Sequence, residues 1–376
     1  MLLMKKIVVI SDSFKGSLSS EDIIQIFLDV KKEYLNNVMI KTFPIADGGE
    51  GTVKAFASFQ KGQLINIKVH DSYFEMIDAT YFINNHNEAI IEVASSSGLT
   101  QVKGRENPAK TSTYGVGEQI LDAVKRGVKK IYIGLGGSAT NDMGVGAASS
   151  LSTIFYNKNH EPFIPTGETL KDIDSYDDSL TKELLKDVEI YCLSDVNNVT
   201  YGKDGAAYIY AKQKGADEEM IKQLDNGLKS LSNVIYQKTN IDVGKLQKGG
   251  AAGGFGAGAY IFFHAKLVSG IDTILELLDF EKEIIDTDYI FTGEGKVDQQ
   301  TLKGKAMYGV AKIAKKHHIP LIVICGKLDD DIKKEDLDQL GIIKAIPISS
   351  NYDLNYAFSH AKELYKQNLI NLLKDL

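Results

Sequence analysis

The sequence predicts an α/β protein built on a mostly parallel sheet, with a second domain of mixed strand direction. Three observations carry that expectation. Short β-branched runs alternate with longer stretches of helical period, and a polar or glycine turn joins each pair. Between residues 63 and 93 the alternation gives way to three strand-like runs separated only by short turns. A length of 376 residues is enough for two or three domains, each with its own core.

Taken in order, KKIVVI is followed by SDSFKGSLS and then SEDIIQIFLDVKKEYL, where Ser19 and Asp22 form a capping pair at the helix start. VMIKTFPI leads into ADGGEG and TVKAFASFQ. QLINIKV, DATYFI and AIIEVA read as antiparallel hairpins and mark the start of a second domain. KKIYIGLGG leads into a small-residue helix from about Asn141, and EIYCLSD leads into VNNVTYG and KDGAAYIYAKQKG. DTDYIFTGEG is followed by KVDQQTLKGKAMYGVAKIAKKH, PLIVICGK, IIKAIPISS and a helical tail over Ala357–Leu372. Repeated strand, turn and helix units build a mostly parallel sheet with helices on both faces. Nearly all the glycine turns fall at carboxyl ends of strands, where such sheets bind ligands. The expected division is a discontinuous first domain, 1–70 with 280–376, around an inserted domain, 71–279.

The composition, 43% hydrophobic and 25% charged with a mean hydropathy of −0.14, is that of a globular protein. Glycine is high, 34 against 6 prolines, and clustered, which suits tight turns and close backbone approach to ligands. A net charge of −7 and a pI near 5.6 argue against a nucleic-acid partner. No apolar run is long enough to span a bilayer, so no membrane partner is expected. MLLMKKIVVI carries its lysines inside a strand and lacks a small-residue cleavage site, so it does not read as a signal peptide. Cys192 and Cys325 end apolar runs, as buried reduced thiols of a cytoplasmic protein would.

Phosphoryl transfer needs amides for phosphate, carboxylates for Mg²⁺, a positioning cation and a base near the acceptor. Several turns have such parts, and each also has a plainer reading. IADGGEGTV sets Asp47 and Glu50 around glycines, as metal ligands or as a helix cap and its first-turn acid. FTGEGKVDQQT repeats the pattern with Glu294, Lys296 and Asp298, for Mg²⁺ and phosphate or as a solvated turn. SDSFKGS offers Ser13, Lys15 and Ser17 to an anion, or to a capped helix start.

GLGGSATND offers free amides with Ser138, Thr140, Asn141 and Asp142, as an anion nest or as a turn for tight packing. GGAAGGFGAG either covers phosphates or lets a helix pack closely. Asp195, in SDVNN, is a general base, a metal ligand or an Asx turn. Arginine occurs only at Arg105 and Arg126. Arg105, beside a polar loop, suits a bidentate grip on a carboxylate or a surface position.

In register, DSFKGSLS, PIADGGEGTV, ENPAKTSTYGVGE, IGLGGSATNDMGVGA, SDVNNVTYG, GGAAGGFGAG and FTGEGKVDQQTLKGKA resemble the ordered motifs of the bacterial type I glycerate kinases. The resemblance runs from about residue 5 to Gly326. It implies a Rossmann-like parallel-sheet domain and a second mixed α/β domain, with the active site in the cleft between them. It also implies ATP-dependent phosphorylation of D-glycerate with Mg²⁺, to 2-phosphoglycerate or alternatively 3-phosphoglycerate. Two positions depart from the family: Met143 where glycine is common, and Asn197 where many relatives have aspartate.

The roles themselves are inferred from residue chemistry. Asp195 and Lys15 are expected to be catalytic. Ser13, Ser17, Arg105 and Asn141 are expected to hold the substrate. Gly136, Gly137, Ser138, Thr140, Gly253, Gly254, Gly293, Gly295 and Lys296 are expected to meet ATP, and Asp47, Glu50, Glu294 and Asp298 the Mg²⁺. An NAD(P)-dependent hydroxy-acid oxidoreductase would need GxGxxG after the first strand, where SDSFKGS stands instead. A non-catalytic nucleotide or carboxylate sensor would need no base and no metal set. Either a monomer or a homodimer fits the sequence.

Overall fold

A computed structural model describes residues 5–14, 16–34, 38–45, 49 and 51–374. Strand β1 (Lys5–Ser11) buries every residue from Ile7 to Ser11, as a strand covered on both faces does. It pairs in parallel with β2 (Val38–Pro44). Between them runs the helix Ser20–Tyr34, which starts at the expected cap. The Asp22 N–H donates to the Ser19 hydroxyl at 3.0 Å, and the Ser19 N–H to the Asp22 carboxylate at 3.2 Å.

The hairpin reading holds for β3 (Gly62–His70) and β4 (Met76–Asn84), which pair antiparallel from Gly62↔Asn84 to His70↔Met76. Strand β5 (Glu88–Glu92) pairs antiparallel with β4 and parallel with β6 (Lys130–Gly134). Then β7 (Glu189–Leu193) and β8 (Lys266–Val268) extend the sheet in parallel, giving the order β8-β7-β6-β5-β4-β3. The helix Glu218–Thr239 covers part of this unit's core with Ile221, Leu224, Leu228, Leu231 and Ile235, the spacing of one helical face.

Strands β9 (Tyr289–Thr292), β10 (Leu321–Cys325) and β11 (Ile342–Pro347) return to the first sheet, whose order is β11-β10-β9-β1-β2, all parallel. Read from β2, this is a doubly wound 2-1-3-4-5 sheet, and its order reverses between β1 and β9. The helix Ala361–Lys374 packs against Ser20–Tyr34, with the Tyr365 ring edge-on to Phe27 and Phe14 at 6.2 and 5.7 Å. The expected helical tail is two helices, Leu354–Ser359 and Ala361–Lys374.

Two compact units result: Met1–Asp47 with Ile271–Leu376, and Gly48–Gly270. The sequence reading set these crossings near 70 and 280. The helix Thr52–Phe59 packs on β4 and β5, and the Val53 N–H donates to the buried Glu92 carboxylate at 2.6 Å, which ties that helix to the second sheet. Among the described residues no helix is long and apolar enough to cross a membrane.

Candidate active site

The turns after β1 and β9 leave the first sheet where its strand order reverses, the usual ligand position in such sheets. The Asp12 N–H donates to the Gly293 carbonyl at 3.1 Å and joins the two turns. Gly293 allows close strand contact, since a Cβ there would stand 2.0 Å from the Ile324 carbonyl oxygen. A pocket of about 420 Å³ opens at these turns. Its charged and polar lining includes Asp12, Ser13, Glu294, Lys296, Lys305 and Lys327, and its apolar lining includes Phe14, Ile348 and Phe358. Ser13, Ser17, Glu294, Gly295 and Lys296, assigned above to three different ligands, all face this one pocket.

Glu294 is buried, with its carboxylate 3.5 Å from the Lys305 ammonium and accepting from the Met307 N–H at 3.4 Å. The Thr301 hydroxyl lies 3.4 Å from Glu294 and 3.0 Å from Asp298. Burial tends to raise the Asp298 carboxyl, but the Thr301 bonds and the Lys305 and Lys296 charges outweigh it and hold it low. Asp329, 2.6 Å away, holds the Lys296 ammonium firmly protonated.

Among the described residues no three acids, histidines or cysteines gather as a metal cage. Mg²⁺ commonly rests on one or two carboxylates with phosphate oxygens completing its shell. Glu294 and Asp298, linked through Thr301, fit that sparser set. Lys305 and Lys327 were missed by the sequence reading. The second lysine of KGKA and the lysine of ICGK, just past a strand end, were the signals to follow.

The glycine turn after β6 is built differently. Asp142 is fully buried and accepts from the Thr113 N–H and hydroxyl, both at 2.8 Å, and from the N–H groups of Gly144 and Gly146 at 3.2 and 3.3 Å. Burial pushes its carboxyl up, against those four bonds. Asp142 thus takes up N–H groups at the start of the helix Val145–Ser150 and ties it to Thr113. The Ser138 and Thr140 hydroxyls bond each other at 2.9 Å, and both residues are buried. Asn141 is fully buried, and neither atom of its amide has a partner. Only Gly136 and Gly137 of Gly134–Gly146 reach solvent, so the expected ligand-facing Ser138, Thr140 and Asn141 instead build the inside of the turn. Behind them lies a residue not anticipated, Lys214, fully buried and donating to the Thr140 carbonyl at 2.6 Å. Burial lowers its ammonium to about 7, partly offset by Asp142.

The run GGAAGGFGAG packs onto this turn. Ala252, Gly253 and Gly254 take left-handed dihedrals, φ 51, 68 and 90°, before the regular helix begins. A Cβ on Gly253 would stand 2.0 Å from the Thr140 carbonyl oxygen, and one on Gly258 1.8 Å from that of Met143. The buried Gly253 and Gly254, expected to cover phosphates, therefore serve packing. Met143 itself is held at φ 52°, its N–H donating to the Gly253 carbonyl at 3.1 Å. That left-handed position is the physical reason glycine suits it.

Asp195, half-buried after β7, accepts from the Ser269 hydroxyl at 3.0 Å and the Gly270 N–H at 2.9 Å. Arg105 has partners within its own unit. Its guanidinium already pairs with Asp71 at 2.9 Å and Glu75 at 3.1 Å and lies over the Tyr73 ring. Lys15, Asp47 and Glu50 lie outside the described residues.

A family model described as the glycerate kinase family matches residues 7–376. The chain is 37% identical to a glycerate kinase from Bacillus cereus, over 98% of this chain and 97% of that one. It is 38% identical to a glycerate 2-kinase from Escherichia coli, over 87% of this chain and 86% of that one. Among solved structures, one from Salmonella typhimurium LT2, described as a glycerate kinase 2, superposes with a TM-score of 0.81 at 34% identity, covering 99% of this chain and 98% of its own.

Proposed function

We infer the function from one premise: the chain belongs to the glycerate kinase family. As a kinase it transfers a phosphoryl group to a hydroxyl of D-glycerate, with ATP as donor, Mg²⁺ as metal and 2-phosphoglycerate as the expected product. The observation that carries this reading is the switch-point pocket, where a buried carboxylate meets three lysines at the carboxyl ends of parallel strands. The free cysteines, both buried, suit a cytoplasmic enzyme.

In this reading Lys296, Lys305 and Lys327 bind the donor's phosphates and balance their charge, as positioning cations do in phosphoryl transfer. Glu294 and Asp298 would hold the metal, which would supply positive charge against that developing on the transferred phosphoryl group. Asp195 takes the proton of the glycerate hydroxyl. Its bonds from Ser269 and Gly270 fix the direction in which the carboxylate faces. Gly136 and Gly137 offer the exposed backbone of the β6 turn to the ligand. Lys15, Asp47 and Glu50 keep their roles in the proposal on residue type alone.

A coupled assay of ADP release, with and without D-glycerate, tests the activity, and phosphorus NMR of the product identifies the hydroxyl used. Absence of glycerate-dependent ADP would remove the kinase reading, and formation of NADH would favour an oxidoreductase. Asp195→Ala should lower turnover by about 10²–10⁴-fold with the KM for glycerate largely kept. Near-normal turnover in that variant would sink the base assignment.

A further inference from the structure

The switch-point pocket has more surface than phosphates require. Leu354, Ala357 and Phe358 line it at the i, i+3, i+4 spacing of one face of the helix Leu354–Ser359, and Ala361 joins them from the start of the next helix. Phe358 remains 46% exposed and Leu354 65%, so this apolar face keeps accessible surface. The Phe358 ring lies over the turn after β1, where a Cβ on Gly16 would come within 3.2 Å of it. Phe14 and Ile348 continue the wall.

The wall has few groups with which to read the edge of a ligand. The Ile348 N–H is spent on the Cys325 carbonyl at 2.9 Å, that of Ser349 on Gly326 at 3.2 Å, and that of Ala357 on Asp353 at 3.0 Å. The Ser17 hydroxyl donates to the Phe14 carbonyl at 3.1 Å. A flat apolar ligand portion joined to an anionic one matches this lining, and a nucleoside triphosphate has that shape and charge. A volume of about 420 Å³ is within the range of small-molecule sites.

We propose that this apolar wall is the nucleoside slot of the donor site, holding the base by its face rather than its edge, so that purine and pyrimidine triphosphates serve alike. The proposal rests on the kinase reading above. Every base has a π-face, so stacking tolerates all of them. Strong discrimination, of about 10⁴–10⁵, arises where a site is built to hydrogen-bond a particular polar group. Here the shared phosphates meet the lysines, and among the described residues the remaining lining hydroxyls, Ser13 and Ser349, can rotate to donate or accept and so suit any base edge.

The test is steady-state kinetics of the full chain with ATP, GTP, CTP and UTP at saturating D-glycerate, together with thermal shifts by the four diphosphates in the absence of glycerate. We expect kcat/KM for the four donors to agree within about 30-fold, and all four diphosphates to raise the melting temperature. Phe358→Ala should raise the KM of every nucleotide about 5- to 100-fold, in line with loss of one stacking partner, and leave that of glycerate unchanged. Phe358→Tyr, which keeps the ring, should restore it.

A preference above about 10³-fold for one base would overturn the slot as described. So would a Phe358→Ala variant that binds all nucleotides normally and glycerate poorly. Turnover failing with every donor while the diphosphates still bind would defeat the kinase reading and leave the slot standing.

Discussion

Two turns of this chain carry the residue types of phosphate chemistry, and they are used in opposite ways. The β6 turn of the second unit is the richer in glycine and hydroxyls, yet Thr140, Asn141 and Asp142 are buried and a second glycine run packs onto it. The β9 turn of the first unit has fewer glycines, yet Glu294 and Lys296 line a pocket. The partners explain the contrast. Asp142 is satisfied by N–H groups of its own loop and by Thr113, whereas Glu294 faces Lys305 and a shared hydroxyl, groups that can exchange for a ligand. Glycine density reports how closely two backbones lie, and it does not say whether the second backbone or a ligand fills the space.

The contrast breaks most sharply at Gly258. Replacing it with alanine puts a methyl 1.8 Å from the Met143 carbonyl oxygen, and the stability of the second unit should fall by at least about 3 kcal/mol in chemical denaturation. If Gly258→Ala unfolds like the parent and loses only activity, the β6 turn is a ligand loop and the comparison is inverted. The opposite pattern is expected at Glu294→Gln. Its turnover should fall on the order of 100-fold, the scale seen when support to a metal site is lost, with the unfolding midpoint nearly kept. Stopped activity assays beside a melting curve separate these two outcomes.

Thr113→Val comes next in size. It removes the hydroxyl that bonds Asp142 and also accepts from the Ala147 N–H at 3.0 Å, leaving a buried carboxylate one donor short. A loss of about 1–3 kcal/mol is expected, with nucleotide KM unchanged. A rise in nucleotide KM without loss of stability would contradict the structural reading.

A further effect appears as a slope, spread over several pH units. Lys214 releases its proton near pH 7 in the native state because it is buried, against 10.5 ordinarily. Between those values the unfolded chain binds the extra proton, so stability rises with pH through that window and is flat, for this group, below it. Lys214→Met should flatten the pH 7 to 10 limb in denaturation series. An unchanged slope would assign it to other groups.

Local chemistry was legible. The Ser19–Asp22 cap, the hairpin run and the strand ends all rest on partners a few residues apart, and alternation of short and long apolar patterns was enough to foresee the two kinds of sheet. What sequence could not show was which distant group claims a side chain. Arg105 is taken by Asp71 and Glu75, 34 and 30 positions away, and Asp195 is held by Ser269 and Gly270, 74 and 75 away. Lys214 reads as one more surface lysine until the fold brings Thr140, 74 residues off, onto its ammonium. Gly253 likewise declares its purpose only once Thr140 is beside it.

Because the first sheet is made from both ends of the chain, the order of synthesis matters to it. β1 and β2 leave the ribosome early, while β9 must wait for the whole intervening unit, tens of seconds at ordinary elongation rates. The second unit is continuous, and its last strand, β8, ends at Val268, before β9 begins at Tyr289. Leu354, Phe358 and Ala361 are made after the charged residues that line the same pocket. A nascent chain that stalls short of them carries the glycine turns, the acids and the lysines, but of the apolar lining it has only Phe14 and Ile348.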